Sequence, residues 1–451
     1  MSDSMQKRYG FWMAVAMVIG IVVGSGVFFK AEKVLKSTNG DMLLGTMSWI
    51  ISGCIMIVCA YSFAILASRY EKVNGIIDYA EAALGETYGY TVGWFMVTIY
   101  YPALAAVLSW VSARYTAALF DIGDPETNYQ VYLIAIAYLI FMYILNIVAP
   151  ILSSKIQVSA TFIKLVPLVL MAVVGIFKGL SSGQLIQNFS SVTNDLVSKN
   201  PLFASIVATA FAYEGWIVAT TINSELKNSK KNLPRALFLG SIVIVIIYVV
   251  YFIGLVSTMP VADFMAGGEN SIKLAFVKTL GSFLGSALIV FVIISCIGSL
   301  NGLVFACTRG FYSISIRNMG PASKFFSKLN AKSKIPMNSG LVSLICVLFW
   351  LIAWYGNFSG WWGIFLDFSE LPVVTTYALY IPIFIWLVKE IKDLNFFQRF
   401  VIPILAIIGS LFMIFATVIS HGVKQVIIYV CIFSIIILLG LLFKKNGKRV
   451  S

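Results

Sequence analysis

Charge is scarce in this sequence. Only 11% of its 451 residues are Asp, Glu, Lys or Arg, whereas 60% are hydrophobic and the mean hydropathy is +0.92. Soluble globular domains carry about twice that share of charged residues. The shortage excludes an ordinary soluble protein and predicts an all-α integral membrane protein.

Histidine and paired cysteines are also in short supply. The chain has one histidine, His421, and six cysteines that include no CxxC spacing and no pair in a predicted outer loop. We therefore expect no cofactor, no metal and six buried, unpaired thiols. A membrane-embedded enzyme would lack a paired nucleophile and base, and a sensor would lack a soluble output domain, so both are unfavoured.

Long apolar runs are abundant instead, and we expect twelve membrane-spanning helices of about 20 residues or more. The first run follows Lys7 and Arg8 without a small-residue cleavage site, which favours an uncleaved helix over a signal peptide. The predicted spans are residues 10–34, 42–68, 87–119, 130–149, 152–178, 201–223, 234–258, 280–312, 338–355, 360–388, 400–420 and 424–443.

Basic residues are distributed unevenly between the loops. Of the 32 Lys and Arg residues, 22 fall on the side of the N-terminus, nine on the opposite side and one inside a span. By the positive-inside rule, this bias predicts a multi-pass protein of the cell membrane with both termini in the cytoplasm. The net charge of +13 follows from the same bias and does not imply nucleic-acid binding.

Two predicted spans carry an interruption. The first span breaks at Gly24, Ser25 and Gly26, and the sixth breaks in FAYEGW, Phe211–Trp216. The two spans are five apart, so two five-helix halves would enter the membrane in opposite directions, as in inverted-repeat transporters. We expect one domain over residues 1–451, with repeats at 1–179 and 200–390 and two additional helices within 397–444.

A broken span predicts a binding site because unpaired backbone groups persist in hydrocarbon only where they line a cavity. The half-helix that starts at the break offers free N–H groups to a carboxylate, and the half ending near Val22 offers carbonyls to an ammonium. Ser25 adds a hydroxyl, and Gly24 and Gly26 let a ligand approach the backbone. Together these groups suit a zwitterion such as an α-amino acid; the alternative is close helix packing at Gly and Ser.

Several segments also carry a family resemblance. IVVGSGVF, TFIKLVP, FAYEGW, SELKNSKKNLPRA and SCIGSLNGLVFACTRGFY occur in this order over nearly the whole chain. With them the chain resembles the amino acid–polyamine–organocation superfamily, in particular bacterial serine/threonine and alanine–serine–cysteine exchangers of the L-amino acid transporter branch. The resemblance implies the LeuT-type fold, with interrupted helices 1 and 6, and alternating-access transport of amino acids.

The resemblance also implies a set of site residues. The substrate carboxylate would meet Ser25 and the N–H groups of Gly26 and Val27, and the ammonium would meet the carbonyls of Val22 and Phe211. Phe211 would be the lid of the pocket, and Lys164 would take the place of a sodium ion by bridging the first and eighth spans, near Ser295 and Ser299. The expected substrate-binding set is Val22, Gly24, Ser25, Gly26, Val27, Phe211, Ala212, Glu214 and Gly215.

Two features depart from animal members of this branch. Those members bind a heavy subunit through a Cys between the third and fourth spans, whereas DIGDPETNYQ has none, so we expect no disulfide-linked partner. Glu214 stands where many animal members have Gly, and its role stays open between a helix cap and substrate selection or proton exchange.

The leading functional hypothesis is a sodium-independent exchanger of small neutral L-amino acids such as Ala, Ser, Thr or Cys. The alternative is a proton-coupled amino acid symporter, with Lys164 and Glu214 as the titrating groups. Which amino acid is preferred is not fixed by the sequence.

Overall fold

A computed structural model describes residues 10–70, 75–190, 200–217, 226–267, 270–330 and 335–444; within these helices, the side chains of Ile21, Ser154, Val158 and Thr161 are not described. The described residues form helices joined by short connections, which confirms the all-α prediction.

The N-terminal part of the chain contains three spans that are not continuous α-helices. The first is divided between α1 and α2. The third contains a π-helical segment, Met96–Tyr100, between α5 and α6, and the fifth is divided into α8, α9 and α10, with a π-helical segment, Met171–Gly175, between α9 and α10. The helices are α1 (Phe11–Val22), α2 (Gly26–Ser37), α3 (Met42–Arg69), α4 (Ile76–Leu84), α5 (Glu86–Phe95), α6 (Tyr101–Phe120), α7 (Tyr129–Val148), α8 (Pro150–Ile163), α9 (Leu165–Leu170), α10 (Ile176–Ser181) and α11 (Gln184–Ser190).

The second part of the chain begins with another short apolar helix, α12, which ends at the predicted break of the sixth span. Its helices are α12 (Pro201–Ala212), α13 (Ser229–Val256), α14 (Val261–Ala266), α15 (Ser271–Leu280), α16 (Ser282–Ser315), α17 (Ser323–Phe326), α18 (Met337–Phe358), α19 (Leu371–Glu390), α20 (Ile402–His421) and α21 (Val423–Leu442).

Each of the twelve predicted runs contains a helix, but they differ in length. Among the described residues, nine helices are long and apolar enough to cross a membrane, or ten if a pair bent by 86° after Ser181 is one span. The two shorter apolar helices, Phe11–Gly20 and Pro201–Ala212, belong to the two spans predicted to be interrupted. The chain is therefore a multi-pass membrane protein, while the number twelve stays a prediction.

Two predictions need correction. The tenth span does not begin at residue 360, because its helix starts at Leu371. The Asp367 carboxylate accepts the N–H groups of Ser369 and Glu370 and so caps the turn that leads into this helix. The six cysteines are free, as predicted, but Cys54 and Cys431 are exposed on their helices and Cys346 is half-buried, so three of the six are not buried.

The chain divides into two units. Unit one comprises Met1–Tyr79, Thr161–Val292 and Val374–His421, and in it α3 packs along α13, α1 packs on α13, and α12 contacts α2, α3 and α20. Hydroxyl pairs join α3 to α12, since Ser48 and Ser205 lie 2.5 Å apart and Ser52 and Thr209 lie 2.6 Å apart. These buried hydrogen bonds hold α12 against the continuous helix α3 to within one turn of the last residue of α12.

Unit two comprises Ala80–Ala160, Ile293–Val373 and Gly422–Ser451, and in it α6 packs against α7 and α18 while α21 packs on α5. Its interior contains a cluster of polar side chains, Asn146, Ser153 and Asn301, that hydrogen-bond to one another. The boundaries of the expected inverted repeats are not the boundaries of these units, so the repeat organisation stays a prediction.

Candidate functional site

The first break lies within unit one, between α1 and α2. Helix α1 ends at Val22 because Val23 adopts an extended conformation, with φ −65° and ψ 104°. Helix α2 begins at Gly26, so only Val23, Gly24 and Ser25 separate the two helices. The interruption therefore falls within one residue of the position that the sequence predicts.

Ser25 is the N-cap of α2, yet its side chain does not cap the helix. Its backbone carbonyl accepts the N–H groups of Phe28 and Phe29, at 3.1 and 2.9 Å. Its hydroxyl is 1% exposed and has no hydrogen-bond partner among the described residues. A buried hydroxyl without a partner is costly, so one placed at a helix N-terminus indicates a position where a ligand is expected to bind.

Gly26 is required by space rather than by an unusual φ. It is not among the glycines with positive φ, but a Cβ built on it would lie 2.5 Å from the Cα of Ala212. Because real Cβ atoms do not approach backbone so closely, no larger residue fits without moving α2 away from α12. The contact brings the start of α2 to the end of α12, where the second interruption lies.

The second break follows α12 directly. Tyr213, Glu214 and Gly215 form a turn, in which Gly215 has a φ of +106°, a value that glycine adopts without strain. The carbonyl of Phe211 accepts the N–H of Glu214 at 3.3 Å, so this predicted ammonium ligand already has one partner. The rest of the predicted sixth span, residues 218–223, lies outside the described residues.

A residue that sequence reasoning missed joins the two breaks. The hydroxyl of Tyr248, on α13, lies 3.0 Å from the carbonyl of Val22 and 3.0 Å from the carbonyl of Ala212, the last residues of α1 and α12. Both carbonyls are at helix C-termini, where no intrahelical N–H is available to them. One phenol therefore lies within hydrogen-bonding distance of both helix ends, on the side where an ammonium is predicted to bind.

An aromatic cluster supports this phenol. The Trp49 ring contacts the rings of Tyr213 and Tyr248 edge-on, with centroids 5.7 and 5.5 Å apart, and the Tyr213 hydroxyl donates to the Trp49 carbonyl at 2.8 Å. The only sequence signal for Tyr248 was a tyrosine inside an apolar helix, whose hydroxyl must find a partner when it is buried.

Lys164 lies between α8 and α9 and is 1% exposed. Its Nζ donates a hydrogen bond to the carbonyl of Gly20, near the end of α1. The predicted contact with the first span is thus present. Ser295 and Ser299 belong to unit two, where Ser299 donates to the carbonyl of Ser295 at 3.2 Å, so the bridge to the eighth span stays a prediction.

Glu214 is half-buried in the second break. It belongs to the same unit as Tyr377 and Tyr380, two buried tyrosines of α19. Its role stays open between a helix cap and a part in substrate selection or proton exchange. Among the described residues, no group of three His, Cys, Asp or Glu residues could hold a metal ion.

Comparison with known proteins relates this geometry to a family. The amino acid permease family model matches residues 9–441. The chain is 28% identical to a serine/threonine exchanger of Bacillus subtilis (strain 168) over 93% of its own length and 92% of the relative's.

Mammalian relatives match over a smaller share of their length. Identity to the human cystine/glutamate transporter is 26% over 75% of this chain and 66% of the relative. Identity to the human large neutral amino acids transporter small subunit 2 is 26% over 77% of this chain and 65% of the relative. These matches identify a transporter rather than an enzyme and confirm the resemblance drawn from the sequence motifs: the chain belongs to the amino acid permease family.

Proposed function

We propose that the protein is a sodium-independent exchanger of small neutral L-amino acids, such as Ala, Ser, Thr and Cys, working by alternating access. The observation that carries this proposal is the break at Val23–Ser25, where a buried serine hydroxyl and the N-terminus of α2 are available to a carboxylate. The serine/threonine exchanger among the relatives supports the substrate class and the exchange mode.

The substrate would bind at the two breaks. Its carboxylate would accept hydrogen bonds from Ser25 and from the N–H groups of Gly26 and Val27, and Gly24 would leave room for its backbone. Its ammonium would donate to the carbonyls of Val22 and Phe211, and the Val22 carbonyl would exchange its bond with Tyr248 for one with the substrate. Ala212, Glu214 and Gly215 would complete the pocket beside Phe211.

Lys164 would supply the fixed charge that replaces a coupled sodium ion. Its buried ammonium already holds the carbonyl of Gly20, and a second contact with Ser295 or Ser299 would join the first span to the eighth. Because this charge belongs to the protein, transport would need no sodium gradient.

The protein is proposed to lie in the cell membrane with both termini in the cytoplasm, and to work without a disulfide-linked heavy subunit. The segment from Asp121 to Asn128, between α6 and α7, contains no cysteine.

Counterflow in proteoliposomes tests the exchange mode. Vesicles loaded with unlabelled serine should take up labelled serine many times faster than vesicles loaded with buffer, with or without sodium. Equal uptake into both would contradict exchange, and a requirement for sodium would contradict the role of Lys164. Competition by all common amino acids in the same vesicles would define the preferred substrate.

Proton-coupled symport is the second candidate, because two groups that can titrate, the half-buried Glu214 in the second break and the buried Lys164, lie in the two interrupted regions or against them. An imposed proton gradient should then concentrate serine in vesicles that contain none. If the gradient has no effect, exchange is the better description.

A further inference from the structure

A lysine is buried one helical turn beyond the first break. Lys30 lies four residues after Gly26, so both point from the same face of α2, the face that packs on α12. Its exposed fraction is 0%. Lysine is seldom fully buried, because an ammonium loses its hydration there unless protein groups replace it.

Two aromatic rings form part of the surroundings of this ammonium. The Nζ of Lys30 lies 5.1 Å from the ring centroid of Phe29 and 5.3 Å from that of Phe211. The two rings meet edge-on, with centroids 6.2 Å apart, and both are buried. A cation within about 6 Å of a ring centroid is attracted by the ring quadrupole, most strongly where water is excluded.

The group formed by Lys30, Phe29 and Phe211 connects the two interrupted spans. Phe29 and Lys30 belong to α2, whereas Phe211 belongs to α12 and is the residue before its last. Moving the Phe211 ring away from α2 would break both its contact with Phe29 and its contact with the ammonium. The lysine thus gives the ring one preferred position at the break.

We propose that Lys30 is a positioning residue that holds the Phe211 ring closed over the bound amino acid. The proposal rests on the function proposed above, in which Phe211 is the lid of the pocket. Lys30 acts through the ring and does not itself bind the substrate. Weakening its contact should let the substrate escape faster, which raises KM for serine, while the groups that drive the transport cycle stay in place.

The test is a double-mutant cycle in proteoliposomes. Serine counterflow is measured for the unmodified protein, Lys30→Met, Phe211→Leu and the double variant. Lys30→Met keeps the apolar stem and removes the charge, and it should raise KM about tenfold with the maximal rate within about twofold, as expected for a desolvated cation–ring contact. The double variant should be no worse than Phe211→Leu alone, because the lysine then has no ring to hold.

Three further variants separate positioning from general stability. Lys30→Arg keeps a cation that stacks on aromatic rings and should keep KM within about threefold of the unmodified value. Lys30→Gln is a second neutral variant in case Lys30→Met fails to insert. Lys36→Met is the matched control, since Lys36 lies on the same helix with an exposed side chain paired to Glu32 at 2.7 Å.

A normal KM in both neutral variants would overturn the proposal, as would additive effects of Lys30→Met and Phe211→Leu, or a Lys30→Arg variant as weak as the neutral ones. A fall in maximal rate at constant KM would also overturn it, because it would indicate a role outside the lid. Absence of serine uptake by the unmodified protein would instead overturn the proposed function, and this inference with it.

Discussion

Buried polar groups occur in two contrasting settings in this molecule. In unit two, the Asn146 amide donates to Asn301 at 2.7 Å, and the single hydroxyl proton of Ser153 has two acceptors within reach, the side-chain carbonyls of Asn146 and Asn301, at 3.1 and 3.0 Å. The Asn301 amide in turn donates to the backbone carbonyl of Ser153 at 3.2 Å. At the first break of unit one, by contrast, the Ser25 hydroxyl is equally buried and has no partner among the described residues.

Under the proposed function, the difference separates polar groups that join helices from a polar group that binds the substrate. Polar side chains that satisfy one another inside a membrane protein join helices at little cost. A hydroxyl left without a partner costs free energy in every molecule, about 1–3 kcal/mol for a buried donor or acceptor. In the proposed function, the substrate carboxylate supplies the partner that this hydroxyl lacks.

The largest effect is expected at Gly26. Gly26→Ala places a Cβ against the backbone of Ala212, so α2 must shift and the groups of both breaks separate. Serine counterflow should fall to background. Gly10→Ala is the control, because a Cβ there meets nothing within 4 Å, and it should leave uptake unchanged. Normal uptake by Gly26→Ala would show that the close approach of the two helices is not needed.

The next largest effect is expected at Lys164. Lys164→Ala leaves the carbonyl of Gly20 without its buried donor and removes the charge beside α1. The rate of serine exchange should fall at least about tenfold, since a hydrogen bond to a charged group contributes about 1.5–3 kcal/mol. Lys155→Ala, an exposed position of α8, should exchange at the normal rate. A variant that gained sodium dependence would support the assigned role most directly.

A smaller effect is expected at Tyr248. Tyr248→Phe keeps the ring against Trp49 and removes only the hydroxyl that holds Val22 and Ala212. A neutral hydrogen bond contributes about 0.5–1.5 kcal/mol, so the KM for serine should rise by about three- to tenfold. Tyr129→Phe, at an exposed position of α7, controls for the loss of a hydroxyl. An unchanged KM and rate would mean that the phenol only fills space.

The smallest effect on transport is expected in the polar cluster of unit two. Asn301→Ala leaves Asn146 and Ser153 with unmet hydrogen bonds, so thermal unfolding in detergent should begin at a lower temperature. The KM for serine should stay within about twofold of normal. A raised KM at normal stability would show that the polar cluster of unit two contributes to transport as well as to the fold.

The sequence predicted the class of fold and the position of the breaks because both depend on local signals. Apolar runs report membrane helices, and Gly-Ser-Gly in such a run reports an interruption that hydrocarbon would not otherwise tolerate. The reason given for Gly26 was incomplete: the residue provides room for Ala212, which belongs to a span 186 positions away in the chain.

The contacts that hold the site together could not be predicted in the same way. Tyr248 and Lys30 contact residues of another helix, Ala212 and Phe211 respectively. The residues next to them in the sequence do not indicate these contacts. The start of the tenth span was misplaced for a related reason. The composition around Trp361 is as apolar as a helix interior, but the carboxylate of Asp367 fixes the turn before Leu371.

The phenol of Tyr248 carries one proton and faces two carbonyls at the same distance, 3.0 Å. It can donate to only one of them at a time, so the hydroxyl has two alternative hydrogen-bonded states, one with the carbonyl of Val22 and one with the carbonyl of Ala212. Isotope-edited infrared spectroscopy, with labelled carbonyls at Val22 and Ala212, would resolve the two amide stretching frequencies. A change in these frequencies on addition of serine would show that binding moves the hydroxyl proton from one carbonyl to the other.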